Sequence, residues 1–291
     1  MLATRNKAFF LVLVATFLLV GGFGKVTQSS AAEAVIPYST IGSNEYQFPM
    51  DFDKPINLLL SYNVWQNTTD NFGPDGEDMS ILVSANKFAR LFKIDGLENV
   101  GFLWEVVLGY AGIGVENGNN INGMIDPQTG IVAWIKPTEN WTTALEYWLH
   151  VPLGSSELSD GAVSHTFAWL NGHKWGKFCL DWDLGYKVRG DQRKGGARAE
   201  QGSSFFGNAV LTYNHNAWFG PFLHVDYEAA GHGKDKDTGA TVASYDRLQL
   251  GIGNTTKITD RLVFAYWYSR GIAGRNVARG NAVYGRFIWS F

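Results

Sequence analysis

The sequence predicts an all-β protein: a single closed antiparallel transmembrane β-barrel of about twelve strands, with long extracellular loops and short periplasmic turns. Three observations predict it. Apolar residues recur at every second position, over stretches about twice the usual 5–6-residue strand. The links between those stretches alternate long and short, and the alternation runs to the last residue, which is aromatic.

Composition agrees with this. Charged residues make up 18% of the 291, below the roughly 25% of soluble domains. Apolar residues make up 45%, too few for a helical membrane protein. A barrel needs no more, because half of each strand faces a polar lumen. The net charge of -3 argues against a nucleic-acid partner. Cys179 is the sole cysteine, so no intrachain disulfide can form, and its surroundings suggest an ordinary strand position.

Arg5 and Lys7 precede an apolar run from Ala8 to Gly24, and Ser30-Ala31-Ala32 and Ala32-Glu33-Ala34 offer small-residue cleavage sites. This predicts a cleaved signal peptide over residues 1–32, cut after Ala32 or Ala34. The apolar run is at the short edge for spanning a bilayer as an uncleaved anchor. Residues 33–54 would form an N-terminal extension or a plug, and 55–291 the barrel. Export of this kind places the protein in the bacterial outer membrane.

Within the barrel region, the clearest strand covers residues 177–189. Phe178, Leu180, Trp182, Leu184, Tyr186 and Val188 form one face; Lys177, Cys179, Asp181, Asp183, Gly185, Lys187 and Arg189 form the other. A period of two is the signature of a half-buried strand. The same pattern sets Phe102, Trp104, Val106 and Leu108 against Glu105, and Leu145, Tyr147 and Leu149 against Glu146, Trp148 and His150. It sets Leu223, Val225 and Tyr227 against His224, Asp226 and Glu228, and Leu248 and Leu250 against Arg247. Leu262 to Ser269 is a further strand, and weaker alternation marks 57–66, 80–92, 129–136, 164–170 and 205–214. At the end, Val283, Phe287, Trp289 and Phe291 oppose Tyr284, Arg286 and Ile288. Phe287, Trp289 and Phe291 would face lipid as a membrane-assembly signal, leaving Arg286 in the lumen. The closing strand would pair with the first, near Leu58, Leu60 and Tyr62.

Long polar links are expected near 67–78, 114–127, 152–162, 190–203, 230–242 and 270–280. Short turns are expected at Asp95-Gly96, Pro137 to Asn140, Asn171-Gly172, Asn214 to Asn216 and Asn254 to Lys257. Trp141, Trp175 and Trp218 lie beside short turns, where an interfacial aromatic girdle belongs.

The candidate lumen-lining residues are Glu105, Glu146, Trp148, His150, Asp181, Asp183, Lys187, His224, Asp226, Glu228, Arg247 and Arg286, with Lys177 and Arg189 of the same sense. Such charges either pair across neighbouring strands or orient a polar solute on opposite walls. Inward Trp134, Trp148 and Trp267 offer stacking surfaces or act as filler. Loop charges are uneven: Asp70, Asp75, Glu77 and Asp78 in the first loop, Arg270, Arg275 and Arg279 in the last, and Arg193, Lys194 and Arg198 in the fourth. First and last loops are neighbours in a closed barrel, so an ionic clasp is expected; contact of the basic loops with lipopolysaccharide is the alternative.

No G-x-S-x-G elbow, P-loop or H-E-x-x-H occurs, and the six histidines lack metal-ligand spacing. Neither catalysis nor a cofactor is expected. Ser164-His165 is the nearest approach to a membrane-embedded hydrolase.

Ile36-Pro37-Tyr38, the run Asn57 to Tyr62, the acidic Asp75-Gly76-Glu77-Asp78, Gly123 to Ile135 with Trp134, and His150-Val151-Pro152-Leu153-Gly154 carry a resemblance. The chain resembles the outer-membrane barrel family named for the meta-cleavage pathway of phenol degradation. The resemblance implies a transporter for small hydrophobic or aromatic molecules and supplies no catalytic residue. The expected function is therefore passive entry of small solutes. The alternative is a structural or surface-interaction barrel with a plugged lumen. Expected partners are outer-membrane lipid, lipopolysaccharide, the barrel-assembly machinery and the solute.

Overall fold

The computed structural model describes Glu45 and residues 48–72, 79–115, 120–194 and 197–291. In chain order the strands are β1 (Ile56–Phe72), β2 (Met79–Phe92), β3 (Gly101–Val115), β4 (Ile121–Met124), β5 (Gln128–Thr138) and β6 (Trp141–His150). There follow β7 (Ser164–Trp175), β8 (Phe178–Arg189), β9 (Asp191–Lys194), β10 (Ala197–Glu200), β11 (Ser204–Tyr213) and β12 (Gly220–Ala230). The last are β13 (Gly233–Asp235), β14 (Thr241–Val242), β15 (Tyr245–Lys257), β16 (Leu262–Arg275) and β17 (Val277–Ser290). Among the described residues no helix is long and apolar enough to cross a membrane.

Twelve of these strands form one ring, in the order β1-β2-β3-β5-β6-β7-β8-β11-β12-β15-β16-β17 and back to β1, each antiparallel to its neighbours. The closing pair sets Leu58 against Ser290, Leu60 against Ile288 and Tyr62 against Arg286. Asn57 N donates to Phe291 O at 3.2 Å, and Phe291 N donates to Asn57 O at 3.0 Å, so pairing reaches the final residue. Closure leaves no unpaired strand edge in hydrocarbon, where each orphaned backbone group would cost several kcal/mol. β4 lies beside β3 at the long-loop end, and β14-β13-β10-β9 form a separate four-stranded sheet.

Alternation in burial follows alternation in sequence. β2 alternates along its length, as do β3 and β8. The outer face carries large apolar side chains: Leu145 is 67% exposed, Ile252 59% and Phe167 52%. A water-soluble protein would not leave such a continuous apolar surface bare, whereas lipid solvates it. Trp175 and Trp218 are exposed at the short-turn end, with Trp289 and Phe291.

Several boundaries differ from those the sequence suggested. Residues 270–280 are not a long loop: β16 and β17 continue almost into each other and turn at Asn276, in the left-handed region with φ 54°. Their tips read as a loop because glycine and arginine interrupt the apolar alternation there, yet backbone pairing persists, to β15 and to β1. β15 continues similarly through Asn254 to Lys257. Asn171-Gly172 lies inside β7, and the turn falls at Gly176-Lys177, where Gly176 has φ 58°. A two-residue hairpin favours glycine there. Asn171 is instead buried and accepts a bond from Trp141 Nε1 at 3.2 Å. Lys177 is therefore an exposed turn residue, not a lumen residue; its ammonium lies 5.8 Å from the Tyr213 ring centre. The links at 190–203 and 230–242 are not irregular, for they contribute β9, β10, β13 and β14.

Candidate functional site

The inner wall has two unlike halves. On β1, β2 and β3 the inward residues are chiefly aliphatic: Leu58, Leu60, Val64, Ile81, Val83, Leu103, Val107 and Ile113 are all buried. On these first two strands the apolar set thus faces inward, the reverse of β8. The strands across the ring, β8, β11, β12 and β15, present Asp181, Asp183, Lys187, Asn208, His224, Asp226, Glu228, Arg247 and Gln249.

All twelve candidate lumen residues occupy inward, buried positions: Glu105, Glu146, Trp148 and His150 on β3 and β6, six on β8 and β12, and Arg247 and Arg286 on β15 and β17. Arg286 is 0% exposed, while Phe287, Trp289 and Phe291 lie outward. Arg189 is inward too. Near the long-loop end it donates to Gly202 O at 2.7 Å and Tyr245 Oη at 3.1 Å. Tyr245 donates to Glu228 at 2.9 Å, and Glu228 lies 3.6 Å from Arg189 and 3.5 Å from Arg247. One carboxylate thereby ties together β8, β12 and β15.

A second group lies between β1, β2 and β3. Lys87 is buried between Glu45 and Glu105, the latter at 3.5 Å, and Tyr62 donates to Glu45. The Lys87 ammonium is also 5.4 Å from the Trp148 ring. Two further residues ahead of β1 reach inward: Phe48 packs on Trp134 with ring centres 4.9 Å apart, and Phe52 with centres 6.5 Å apart. Sequence reading missed Lys87, Glu45, Asn208 and Tyr245. Lys87 was detectable as the one charge in the inward series Ile81, Val83, Ala85, Lys87, Ala89. Glu45 lies outside any strand, so no periodicity marks it.

The aromatic rings of the wall lie over glycines. Gly101 pairs directly with Trp134, Gly130 with Trp148, Gly185 with Phe206, Gly253 with Phe222 and Gly251 with His224. A Cβ added to Gly101, Gly185, Gly251 or Gly253 would come within 2.2 Å of the facing ring. The missing side chain lets each ring lie down along the wall instead of standing into the bore.

Ser164 and His165 occupy opposite faces. Ser164 is buried inward, while His165 Nδ1 is 2.8 Å from Tyr147 Oη on the outer side. They do not form a nucleophile–base pair. Cys179 is buried, with its thiol 3.6 Å from Asp181. Among the described residues no group of three or more His, Cys, Asp or Glu is placed to hold a metal. A groove of about 570 Å³ lined by Phe102, Ile131, Leu145, Tyr147, Phe167 and Trp169 opens on the outer face, toward lipid.

The expected clasp between first and last loops is only partly within view. Asp70 stands opposite Arg279 in the β1–β17 register, whereas Asp75, Glu77 and Asp78 lie outside the described residues. Arg275 pairs with Asp246 of β15 at 3.0 Å.

The closed twelve-strand wall, its apolar outer band and its polar inner arc define an outer-membrane-type β-barrel. The family model described as "Putative MetA-pathway of phenol degradation" matches residues 61–287, and the chain belongs to that family. No curated protein matches the sequence. In fold the chain is similar to an outer membrane channel from Pseudomonas putida F1, at 12% identity and a TM-score of 0.76, over 83% of this chain and 97% of that one. It is similar also to the translocator domain of the autotransporter NalP from Neisseria meningitidis, at 12% identity and a TM-score of 0.53, over 83% and 90%.

Proposed function

We propose that this protein is a passive outer-membrane channel for small, largely hydrophobic or aromatic molecules. The observation that carries the proposal is the two-sided bore. An aliphatic arc on β1–β3 faces a hydrogen-bonding arc on β8, β11, β12 and β15, and such a wall suits a solute with an apolar body and a polar edge. Similarity in fold to a solved outer membrane channel supports it. Residues 1–32 act as a cleaved signal peptide, and Phe287, Trp289 and Phe291 as the signal read by the barrel-assembly machinery. The basic outer hairpin around Arg193 and Arg198 contacts lipopolysaccharide.

A plugged lumen is favoured by one specific observation, the insertion of Glu45 and Phe48 between inward residues. Glu45, Phe48 and Phe52 then serve as a plug of the channel. Liposome swelling with benzyl alcohol tests both points. The intact protein should admit the solute, and Phe48→Ala/Phe52→Ala should admit it faster. A folded barrel tight to the solute in both forms would sink the channel reading and leave a structural barrel.

A further inference from the structure

We infer that the bore prefers small amphiphilic cations, with the row Asp183, Asn208, Asp226 and Gln249 as their polar subsite; this deepens the channel reading and rests on it. Buried carboxylates outnumber buried cations among the described residues: Glu45, Glu105, Glu146, Asp181, Asp183, Asp226 and Glu228 against Lys87, Lys187, Arg189, Arg247 and Arg286. Three of those cations are drawn to carboxylates away from the row: Lys87 to Glu45 and Glu105, Arg189 and Arg247 to Glu228.

The row itself is continuous. Asp183 pairs with Asn208, Asn208 with Asp226, and Asp226 with Gln249 in adjacent register, all on the inner face and more than nine-tenths buried. Asn208 donates to Asp183 at 2.7 Å, and His224 Nδ1 lies 3.1 Å from Asp226. Among the described residues, Asn208 Oδ1, Asp226 Oδ1 and Gln249 Oε1 have no hydrogen-bond partner. What the row offers a solute is therefore acceptor oxygen from two carboxyls and two carboxamides, and an entering cation favours the ionised form of those carboxyls. The opposite strands, β1, β2, β3 and β5, offer aliphatic and aromatic surface. An aryl- or alkylammonium ion satisfies both sides at once. An aryl carboxylate of the same size brings acceptors to acceptors and charge to like charge.

The test compares swelling rates of liposomes carrying the intact chain with benzylammonium, benzoate and benzyl alcohol, alongside reversal potentials in a KCl gradient. Benzylammonium should enter roughly 25-fold faster than benzoate, the ratio set by one unit-charge attraction against one unit-charge repulsion in water, and the reversal potential should report cation preference. Asp183→Asn/Asp226→Asn keeps side-chain shape and should bring both ratios toward unity. Equal or faster benzoate entry, or an unchanged preference in the double variant, would overturn the inference alone. No entry of any of the three solutes would overturn the channel reading, and the inference with it.

A separate observation on the outer face carries a second proposal. Ser61 stands opposite Asn86, and Asn63 opposite Ser84, and all four side chains point outward from β1 and β2. They form a polar island bounded by Leu59 and Phe88 on one side and by Trp65 and Leu82 on the other. Among the described residues, none of these four side chains has a hydrogen-bond partner. Polar groups facing hydrocarbon without a partner are unfavourable. A carboxamide both donates and accepts, so such an island is complementary to a copy of itself. We propose that two copies of the chain associate through this face, about a two-fold axis along the membrane normal. Photobleaching of singly labelled protein at low density in phosphatidylcholine membranes tests this. Two-step bleaching is expected of the intact protein and single-step bleaching of Asn63→Leu/Asn86→Leu. Single steps for the intact protein, or two steps for the variant, would refute it.

Discussion

At the scale of single residues, the wall is organised by what is absent. Gly185 leaves room for Phe206, whose ring would lie 2.0 Å from an added Cβ. Gly185→Val therefore drives the ring off the wall, and overpacking of this kind costs about 1–3 kcal/mol; a lower urea midpoint of the refolded barrel would register it. Glu228 is the shared acceptor for Tyr245, Arg189 and Arg247. Glu228→Gln leaves two buried guanidinium groups short of counter-charge, at a cost of about 3 kcal/mol, whereas Tyr245→Phe removes one bond and costs about 1 kcal/mol. Urea titration of the two variants should rank them in that order. In the outer sheet, the bond from Lys236 holds the Asp191 carboxyl below its usual range. The sign follows from that depression. The pair's contribution is complete above the ordinary carboxylate pKa of 3.8 and is lost as pH falls through the lowered value. Amide protection in β9 and β13, taken relative to the intrinsic exchange rate at each pH, should thus fall in strongly acidic buffer and stay unchanged between pH 5 and 8, since the carboxylate remains ionised across that window.

At the scale of elements, the membrane-crossing stretches were legible in the sequence because a period of two is imposed by the pleat and by two different solvents. β8 shows this best: lipid on one side and a charged interior on the other make its two faces unlike at every step. β1 and β2 were fainter for a physical reason. Their inward faces are as apolar as a lipid face, and their outward faces carry Ser61, Asn63, Ser84 and Asn86, so the contrast that marks a strand is inverted and reduced. Strand ends were misread where pairing outlasts the membrane, as at the β16–β17 tip. Asn276 occupies a left-handed turn conformation there, and its side-chain amide donates to Ser244 O at 2.8 Å. Asn276→Ile should destabilise that hairpin by about 1–3 kcal/mol, and Asn276→Gly by less; proteolytic nicking at the tip would distinguish them. Candidate lumen residues were legible wherever they lay on a strong strand. Glu45 and Phe48, which reach the same space from an irregular segment, had no pattern to betray them.

At the scale of the whole molecule, the barrel is held less by a central core than by its closed ladder and its two solvent-matched surfaces. Leu145 projects far into the outer band, between Ala144 and Glu146 that face the lumen. Leu145→Arg places a charge in hydrocarbon and should cost about 2–4 kcal/mol, measurable as reduced unfolding free energy in lipid vesicles. The pairing of rings with glycines has a further consequence. Because each ring and the glycine beneath it sit on adjacent strands, the width of the passage is a property of cross-strand couples. A variant that enlarges one member without shrinking the other gains strain, not selectivity. Directed evolution of this barrel toward a wider or narrower passage should therefore accumulate its changes two at a time, at Gly101 with Trp134 or Gly253 with Phe222, and libraries that vary one strand alone will search the wrong space.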